Sequence, residues 1–229
     1  MSGASVHNSP MSNFAPHLAA NDIIETGHPR IRALVAPMTE AATDTADLAH
    51  RVFDLARDSV KYSPYVPFYD RAHYRATATL DRGRGFCVQK AVVLVTLARA
   101  AGIPARLVFV DMRNHRAPRH LVDVLGTNLF TWHCYGRLQV DGQWLDATPA
   151  FDRAICEEHD LPLVEFDGRK SAIFPARDHA GRRYVEYLTD LGVYDDVPLA
   201  PMLAGWDAAY GADRVAAWRE TLAVGGRME

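Results

Sequence analysis

The chain has 229 residues, of which 48% are apolar and 23% charged, and its formal net charge is −3. These values fit one large domain, or two small ones, with enough apolar residues for a core. They exclude a disordered chain, which combines low hydrophobicity with high net charge. The longest apolar run, 91–98, is far shorter than the roughly 18 to 20 residues that span a bilayer. The first residues lack the charged and apolar regions of a signal peptide, so we expect a cytoplasmic protein without membrane association.

The cysteines and basic residues exclude further classes of protein. The three cysteines, Cys87, Cys134 and Cys156, are too few and too scattered for a disulfide scaffold, which predicts free thiols. The basic residues are 22 Arg and 3 Lys, a bias that indicates genome composition and not a nucleic-acid-binding face. The densest basic cluster is either a rim for an anionic substrate or a solvated loop, and it consists of Arg113, Arg116, Arg119, His115 and His120.

The first third of the chain predicts a tail, a helix and an irregular segment. Residues 1 to about 20 have no period and are expected to form a loose N-terminal tail, with a single domain over 21–229. Apolar residues at helical spacing from Thr43 predict a helix that ends before Ser63. The stretch 62–74 is rich in Tyr and Pro, which excludes a regular helix there.

The middle of the chain predicts a buried helix followed by strands. Residues 85–102 are apolar nearly all round a helical projection, and Gly102 ends the helix. A hairpin signal at Asp141-Gly142 joins two of the strands that follow, which are predicted over 106–112, 131–140 and 143–147. A closing helix is predicted over 208–224. A buried helix followed by an antiparallel hairpin is typical of an α+β domain.

Cys87 occupies a chemically distinctive position, two residues after Gly85 and at the predicted N-terminus of the buried helix. Unpaired backbone N–H groups and the helix dipole favour an anion there, which lowers the pKa of a thiol. The same N–H groups can hold the oxyanion of a tetrahedral intermediate. A small buried apolar residue is the alternative interpretation, since most free cysteines have that role.

His133 is the histidine that best complements Cys87. It lies 46 residues later, on the predicted strand 131–140. Strand alternation places His133 and Tyr135 on one face and Trp132 and Cys134 on the other. An imidazole on that face can reach the helix terminus and accept the thiol proton, although a lone strand histidine is more often structural.

These motifs resemble the core of the transglutaminase-like superfamily of papain-related cysteine enzymes. The resemblance covers about 75–152 and is carried by the cysteine motif 85–91 and by the run 97–106, which contains Gly-Ile-Pro-Ala-Arg. It implies a Cys-bearing buried helix packed on an antiparallel sheet. It also implies a Cys-His-Asp triad with Cys87 as nucleophile and His133 as base, acting on peptide or carboxamide bonds through a thioester. The thioester would pass to water, as in a protease or amidase, or to an amine.

The third member of the triad is where the sequence departs from the family pattern. Counted without a gap from Trp144, the family aspartate falls on Thr148, which precedes Pro149. Asp146 is two residues earlier on the same strand face, and a carboxylate orients a histidine far better than a hydroxyl does. We therefore expect Asp146 by chemistry and Thr148 by register, with Asp152 as a more distant alternative.

Other interpretations remain open. A Thr148 in place of the aspartate favours a catalytically inactive member of the family that acts as a binding or structural module. An arylamine acetyltransferase would share the nucleophile logic of the motif 84–87. A zinc site lacks paired ligand spacing, although its residues would be Cys87, His133 and Cys134 with His115, His120 or Cys156.

The expectation for the whole chain is therefore an enzyme without cofactor or metal. Its partner would be a peptide or protein substrate, or a small amide, and the sequence does not predict its oligomeric state. A second oxyanion donor is expected among four tyrosines before the nucleophile, Tyr62, Tyr65, Tyr69 and Tyr74. The C-terminal third has no period strong enough to assign elements, and it forms either surface loops or a wall of the cleft.

Overall fold

The structure, a computed structural model, describes residues 10–223, with side chains from residue 14 to residue 222. Residues 1–9 of the expected N-terminal tail lie outside the described range. The remainder of that tail forms a 3₁₀ helix, Pro10–Leu18. The Phe14 ring of this helix packs edge-on against Trp144, with 6.0 Å between the ring centroids.

The described residues form eight α-helices: α1 (Pro29–Ala41), α2 (Thr45–Asp58), α3 (Ala76–Arg82), α4 (Cys87–Ala100), α5 (Arg119–Leu125), α6 (Arg153–His159), α7 (Leu199–Tyr210) and α8 (Ala212–Ala223). The predicted helix after Thr43 and the predicted buried helix are confirmed as α2 and α4. The irregular stretch 62–74 contains only a short 3₁₀ helix, Arg71–Tyr74.

The strands form two sheets. A short parallel pair consists of β1 (Lys61–Tyr62) and β2 (Arg84–Gly85). The main sheet is antiparallel with the order β5-β4-β3-β6, and its strands are β3 (Ala105–Asn114), β4 (Leu129–Val140), β5 (Gln143–Ala147) and β6 (Val185–Tyr194). The predicted hairpin is confirmed, because Val140 pairs with Gln143 across Asp141 and Gly142, both of which have positive φ.

Helix α4 is the buried centre of the fold. Every residue from Val88 to Arg99 is buried, because α2, α3, α1 and the main sheet surround the helix. The closest approach to the sheet is at Gly136, where a Cβ would lie 2.8 Å from Leu94 Cδ2. A glycine at this point lets the helix lie directly on β4. The fully buried Lys90 ties the helix to the end of α2 by donating to the carbonyls of Arg57 and Val60.

The C-terminal third differs from the expectation in two respects. The predicted closing helix over 208–224 is confirmed as α8, but it begins later than predicted, at Ala212, because Gly211, with φ of +90°, separates it from α7; Val224 lies outside the described residues. The edge strand β6 was not predicted. It pairs with β3 through two register shifts, which break the period-two pattern that identifies a strand.

The fold class is α+β, with a Cys-bearing helix packed on an antiparallel sheet, as expected. A single core cluster runs from the N-terminal helices through α4 and the sheet to α7 and α8. None of the helices described here is long and apolar enough to cross a membrane.

Candidate active site

The N-terminus of α4 presents Cys87 to the cavity that lies beside it. Cys87 is the first helical residue and is partly exposed. The side chain of Gln89 fixes the chain before it, since Nε2 donates to the carbonyls of Pro67 and His73 at 2.9 and 3.0 Å. The first intrahelical bond runs from the Lys90 N–H to Phe86. The N–H groups of the first turn are therefore free of helical partners.

Three backbone N–H groups surround the Cys87 sulfur, those of Cys87, Val88 and Cys134. These groups stabilise a thiolate, but burial outweighs them and raises the pKa of Cys87 to about 11. The expected lowering of this pKa is thus not found, and the Cys87 thiol is neutral at neutral pH.

His133 follows a bulge in β4. On β3, Val110 and Met112 are two residues apart, whereas their partners His133 and Phe130 are three apart. The additional residue is taken up at Trp132, which has a left-handed conformation with φ of +57°. The predicted alternation holds beyond the bulge: Cys134 packs in the main core and Tyr135 in the small cluster on the other face of the sheet.

Side chains from distant segments hold the bulge in place. Asp111 accepts hydrogen bonds from the Thr131 hydroxyl and from the Trp132 N–H. The Tyr210 hydroxyl accepts from the Thr131 N–H at 2.9 Å, and Trp206 Nε1 donates to the Thr131 carbonyl at 3.0 Å. We call Asp111, Trp206 and Tyr210 the bulge clamp. Its members fix the backbone directly before His133, and two of them come from α7.

The His133 ring is buried and neutral. Its exposed fraction is 2%, and burial lowers its pKa to about 3. Phe174 lies beside the ring, with 5.8 Å between the centroids. Nε2 is shielded from solvent and has no hydrogen-bond partner among the described residues, which leaves Nδ1 as the ring nitrogen that can face the cavity.

Cys87 and His133 line the same cavity of about 510 Å³. A second, smaller cavity of about 50 Å³, walled by Trp206 and Trp218, also contains both side chains. The structure thus brings the predicted nucleophile and the predicted base together at the junction of two cavities. No hydrogen bond joins the two side chains in the described part of the chain.

Of the four tyrosines before the nucleophile, Tyr62 is the one that lines both cavities. Its backbone lies beside the nucleophile motif because β1 pairs with β2, which sets Tyr62 opposite Gly85. Burial raises the pKa of the Tyr62 hydroxyl well above its ordinary value, and the nearby Cys87 raises it further. The hydroxyl is therefore a neutral donor next to the thiol.

Asp152 has a positioning role and not the role of a triad member. Its carboxylate accepts from the Tyr62 N–H at 2.6 Å and from the Ile155 N–H at 3.3 Å, the second of which caps α6. The Tyr62 ring also packs edge-on against Phe151 at 4.7 Å. Asp152 thus connects Tyr62 to the wall of the cavity, a long-range link that no local sequence pattern indicates.

Asp146 is not brought to His133, which corrects the expectation that it orients the imidazole. Asp146 pairs with Arg137 across the hairpin, and the Arg137 guanidinium binds its carboxylate at 2.5 and 3.0 Å. Arg137 is four residues from His133 along β4, roughly 13 Å in an extended strand. Tyr135 lies between them on the same face.

Thr148 is the nearer of the two alternatives. Thr148 directly follows Ala147, the last residue of β5, which pairs with Gly136, three residues from His133 on β4. Thr148 is 1% exposed, and its hydroxyl, like His133 Nε2, is buried without a partner in the described part of the chain.

The zinc alternative finds no support in the structure. Within residues 10–223, no three side chains of His, Cys, Asp or Glu lie close enough to hold a metal ion. Cys134 is buried against the sheet, and Cys156 is buried on α6 with its pKa raised to about 11. Both behave as small buried side chains.

The sequence profile of the transglutaminase-like superfamily matches residues 32–149, which is just over half of the chain. No curated protein matches the chain at a significant level.

Among solved structures, the chain is similar to a candidate cysteine protease from Cytophaga hutchinsonii, with 15% identity and a TM-score of 0.44, over 80% of this chain and 54% of that one. It is also similar to the periplasmic domain of TgpA from Pseudomonas aeruginosa, with 24% identity and a TM-score of 0.43, over 58% and 45% of the two chains. A third similar structure is a candidate protease from Parabacteroides distasonis, with 13% identity and a TM-score of 0.38, over 59% of this chain and 25% of that one. The chain spans between a quarter and about half of the length of these proteins.

Proposed function

Because the chain belongs to the transglutaminase-like superfamily, we propose that it is an enzyme that transfers acyl groups from amide or peptide carbonyls through a thioester on Cys87. The observation that carries this proposal is the shared cavity, in which a cysteine at a helix N-terminus and a buried histidine line one wall. A peptide, a protein segment or a small amide would be the acyl donor.

In the first half-reaction, the sulfur of Cys87 bonds to the carbonyl carbon while its proton passes to Nδ1 of His133. The carbonyl electron pair moves to oxygen and forms the oxyanion. When the oxyanion collapses, the C–N bond breaks, the imidazolium gives its proton to the leaving amine, and a thioester remains.

In the second half-reaction, water or an amine attacks the thioester while His133 accepts its proton. The C–S bond then breaks, and the proton returns to sulfur. Water yields a carboxylic acid, and an amine yields a new amide. Since both acceptors use the same two residues, the geometry of Cys87 and His133 is compatible with either outcome.

Both reacting groups are uncharged before the substrate binds. A thiol with a pKa of about 11 and an imidazole with a pKa of about 3 are both uncharged at neutral pH, so charge would develop only as substrate enters and the bond to sulfur forms. The N–H groups around the sulfur and the Tyr62 hydroxyl are the donors available to the developing oxyanion.

We further propose that Thr148 orients His133. A protonated Nε2 needs an acceptor, and leaving a buried donor unpaired costs about 1–3 kcal/mol. The Thr148 hydroxyl is a buried group without a partner among the described residues, and it follows the end of β5 that is nearer to His133. A hydroxyl holds the ring without adding a negative charge, which is consistent with an imidazole that stays neutral at rest.

A second candidate function, an inactive binding module, is favoured by the same Thr148. Acylation by an activated ester distinguishes an active enzyme from an inactive binding module. We expect 4-nitrophenyl acetate to release a burst of nitrophenol and to leave an acetyl group on Cys87, detected by mass spectrometry. The burst should disappear in Cys87→Ala and fall about 10²- to 10⁴-fold in His133→Ala, the range attributed to a general base.

The matched control for this experiment is Cys156→Ala, which removes a buried thiol outside the cavity and should leave the burst unchanged. A wild-type protein that gives no burst, or that carries the acetyl group only on other residues, would assign the chain to the inactive class.

A further inference from the structure

Beyond Cys87 and His133, the walls of the larger cavity are mainly apolar. Its volume of about 510 Å³ is in the range of pockets that enclose a drug-sized ligand. An acetyl group would leave most of this space empty, so the cavity fits a longer acyl group. The apolar walls are formed by Leu121, Phe130, Phe151, Ile155, Leu161 and Phe174.

The charged and titratable side chains at the rim are basic. Arg116, His120 and His159 line the cavity, and no Asp or Glu does so among the described residues. The basic cluster seen in the sequence is therefore divided by the fold. The side chains of Arg116 and His120 line this cavity, whereas Arg119 is exposed and lies outside it.

Arg116 is held in place and retains free donors. Its Nε lies 3.6 Å from Asp178 Oδ2, and the side chain of Asp178 is completely buried. The same carboxylate binds Arg182 Nε at 2.8 Å, so one negative charge faces two guanidinium groups. The terminal nitrogens of Arg116 have no hydrogen-bond partner within residues 10–223, which leaves a positioned fork for an anionic group.

Strand β3 sets the distance between this cation and the reacting pair. Val110 is level with His133, and Met112 and Asn114, which follow on β3, also line the cavity. From Val110 to Asn114 an extended strand covers roughly 13 Å. Arg116 follows Asn114 by two residues in the turn after β3, so its backbone lies beyond the end of the strand that points away from His133.

We propose that the acyl donor carries an apolar acyl group with a carboxylate at its far end, which Arg116 binds while the reacting carbonyl lies at Cys87. His120 and His159 flank the carboxylate at the rim. This inference rests on the proposed function and names the substrate class for that site: monoamides of apolar dicarboxylic acids, or acyl groups of the same shape and charge.

The test uses two activated esters of equal length, both derived from a linear dicarboxylic acid long enough to cross the cavity. One has a free terminal carboxylate and the other a terminal carboxamide, and each reports acylation by release of 4-nitrophenol. We expect wild-type kcat/KM to favour the carboxylate ester about tenfold, the contribution of one charged hydrogen bond. Arg116→Gln should lose this preference, so that its kcat/KM values for the two esters become equal.

Two further variants separate a lost contact from a damaged fold. Arg116→Lys keeps the positive charge and should retain part of the preference, and Arg119→Gln, a matched exposed arginine outside the cavity, should retain all of it. Equal rates for the two esters in wild type, or a preference that survives in Arg116→Gln, would overturn the inference and leave the proposed function intact. Failure of both esters to acylate Cys87 would overturn the proposed function, and this inference with it.

Discussion

The two sides of the candidate site are positioned by different means. The cysteine side depends on contacts within one continuous segment, 61–100, which contains Cys87: the buried helix α4, the Gln89 side chain and the short β1–β2 pair. The histidine side depends on the bulge clamp, whose members lie 21 to 79 residues from the backbone groups that they bind. One continuous segment thus positions Cys87, whereas side chains from other parts of the fold position His133.

This difference indicates where the site can vary. A helix start that is buried on all sides tolerates little change, because its neighbours are already in contact. A left-handed residue in a strand persists only where the surroundings stabilise it. We therefore expect substitutions that only disturb packing to act mainly through stability on the cysteine side, and mainly through the rate of acyl transfer on the histidine side.

Tyr62 gives the largest expected effect on the cysteine side after the nucleophile itself. Tyr62→Phe removes the hydroxyl donor but keeps the ring against Phe151. We expect the acylation rate to fall about 10²-fold, as for loss of one oxyanion donor, with the rate of iodoacetamide labelling unchanged because alkylation forms no oxyanion. Tyr65→Phe, at the rim of the same cavity, is the control. A wild-type acylation rate in Tyr62→Phe would exclude the hydroxyl as a donor.

Substitutions at two glycines test the comparison between the cysteine side and the histidine side directly. A methyl group at Gly205 of α7 would clash with Trp132 Nε1 and press on the bulge. Gly205→Ala should lower the acylation rate by about tenfold or more, since small misplacements of catalytic groups are costly. Gly136→Ala instead presses Leu94 of α4 and should cost about 1–3 kcal/mol of stability with little change in rate.

Burst kinetics and thermal unfolding of both glycine variants separate these effects. If Gly205→Ala lost only stability, or Gly136→Ala lost mainly rate, the division between the two sides would be wrong.

The same division explains what the sequence could predict. Helix α4 and the hairpin are recognisable because burial on all sides and an Asp-Gly turn are local patterns. Strand β6 is hidden by its register shifts, and the bulge at Trp132 depends on Asp111 and α7, which only the fold brings close. The chemistry of a carboxylate predicts Asp146 as the residue that orients His133, but the strand register places Asp146 opposite Arg137, which binds its carboxylate.

Substitution of Thr148, the residue proposed to orient His133, should have a smaller effect on the acylation rate. Thr148→Val removes the hydroxyl that can accept from His133 Nε2 and should lower the acylation rate about tenfold, the value of one hydrogen bond to a group that becomes charged. Asp146→Asn should change the rate less than about twofold, because it weakens a partly exposed ion pair with Arg137. Thr148→Ser, which keeps the hydroxyl, should retain most of the rate and its pH profile. A silent Thr148→Val with a damaging Asp146→Asn would reverse this assignment.

The smallest expected effect is on the resting thiol. Burial holds the pKa of Cys87 near 11 and that of His133 near 3. Below pH 11 the thiolate fraction therefore rises about tenfold per pH unit, and iodoacetamide labelling should keep rising beyond pH 8.5, where an ordinary thiol is half ionised.

The variant His133→Gln should change the rate of iodoacetamide labelling less than about threefold, since a neutral imidazole does not stabilise the thiolate by its charge. The same variant should greatly slow acylation. Cys87 and His133 would then exchange a proton only during the reaction, and not in the resting protein. Labelling with an apparent pKa well below 8.5, lost in His133→Gln, would instead mean that a thiolate–imidazolium pair exists at rest and that the histidine side governs the nucleophile before substrate arrives.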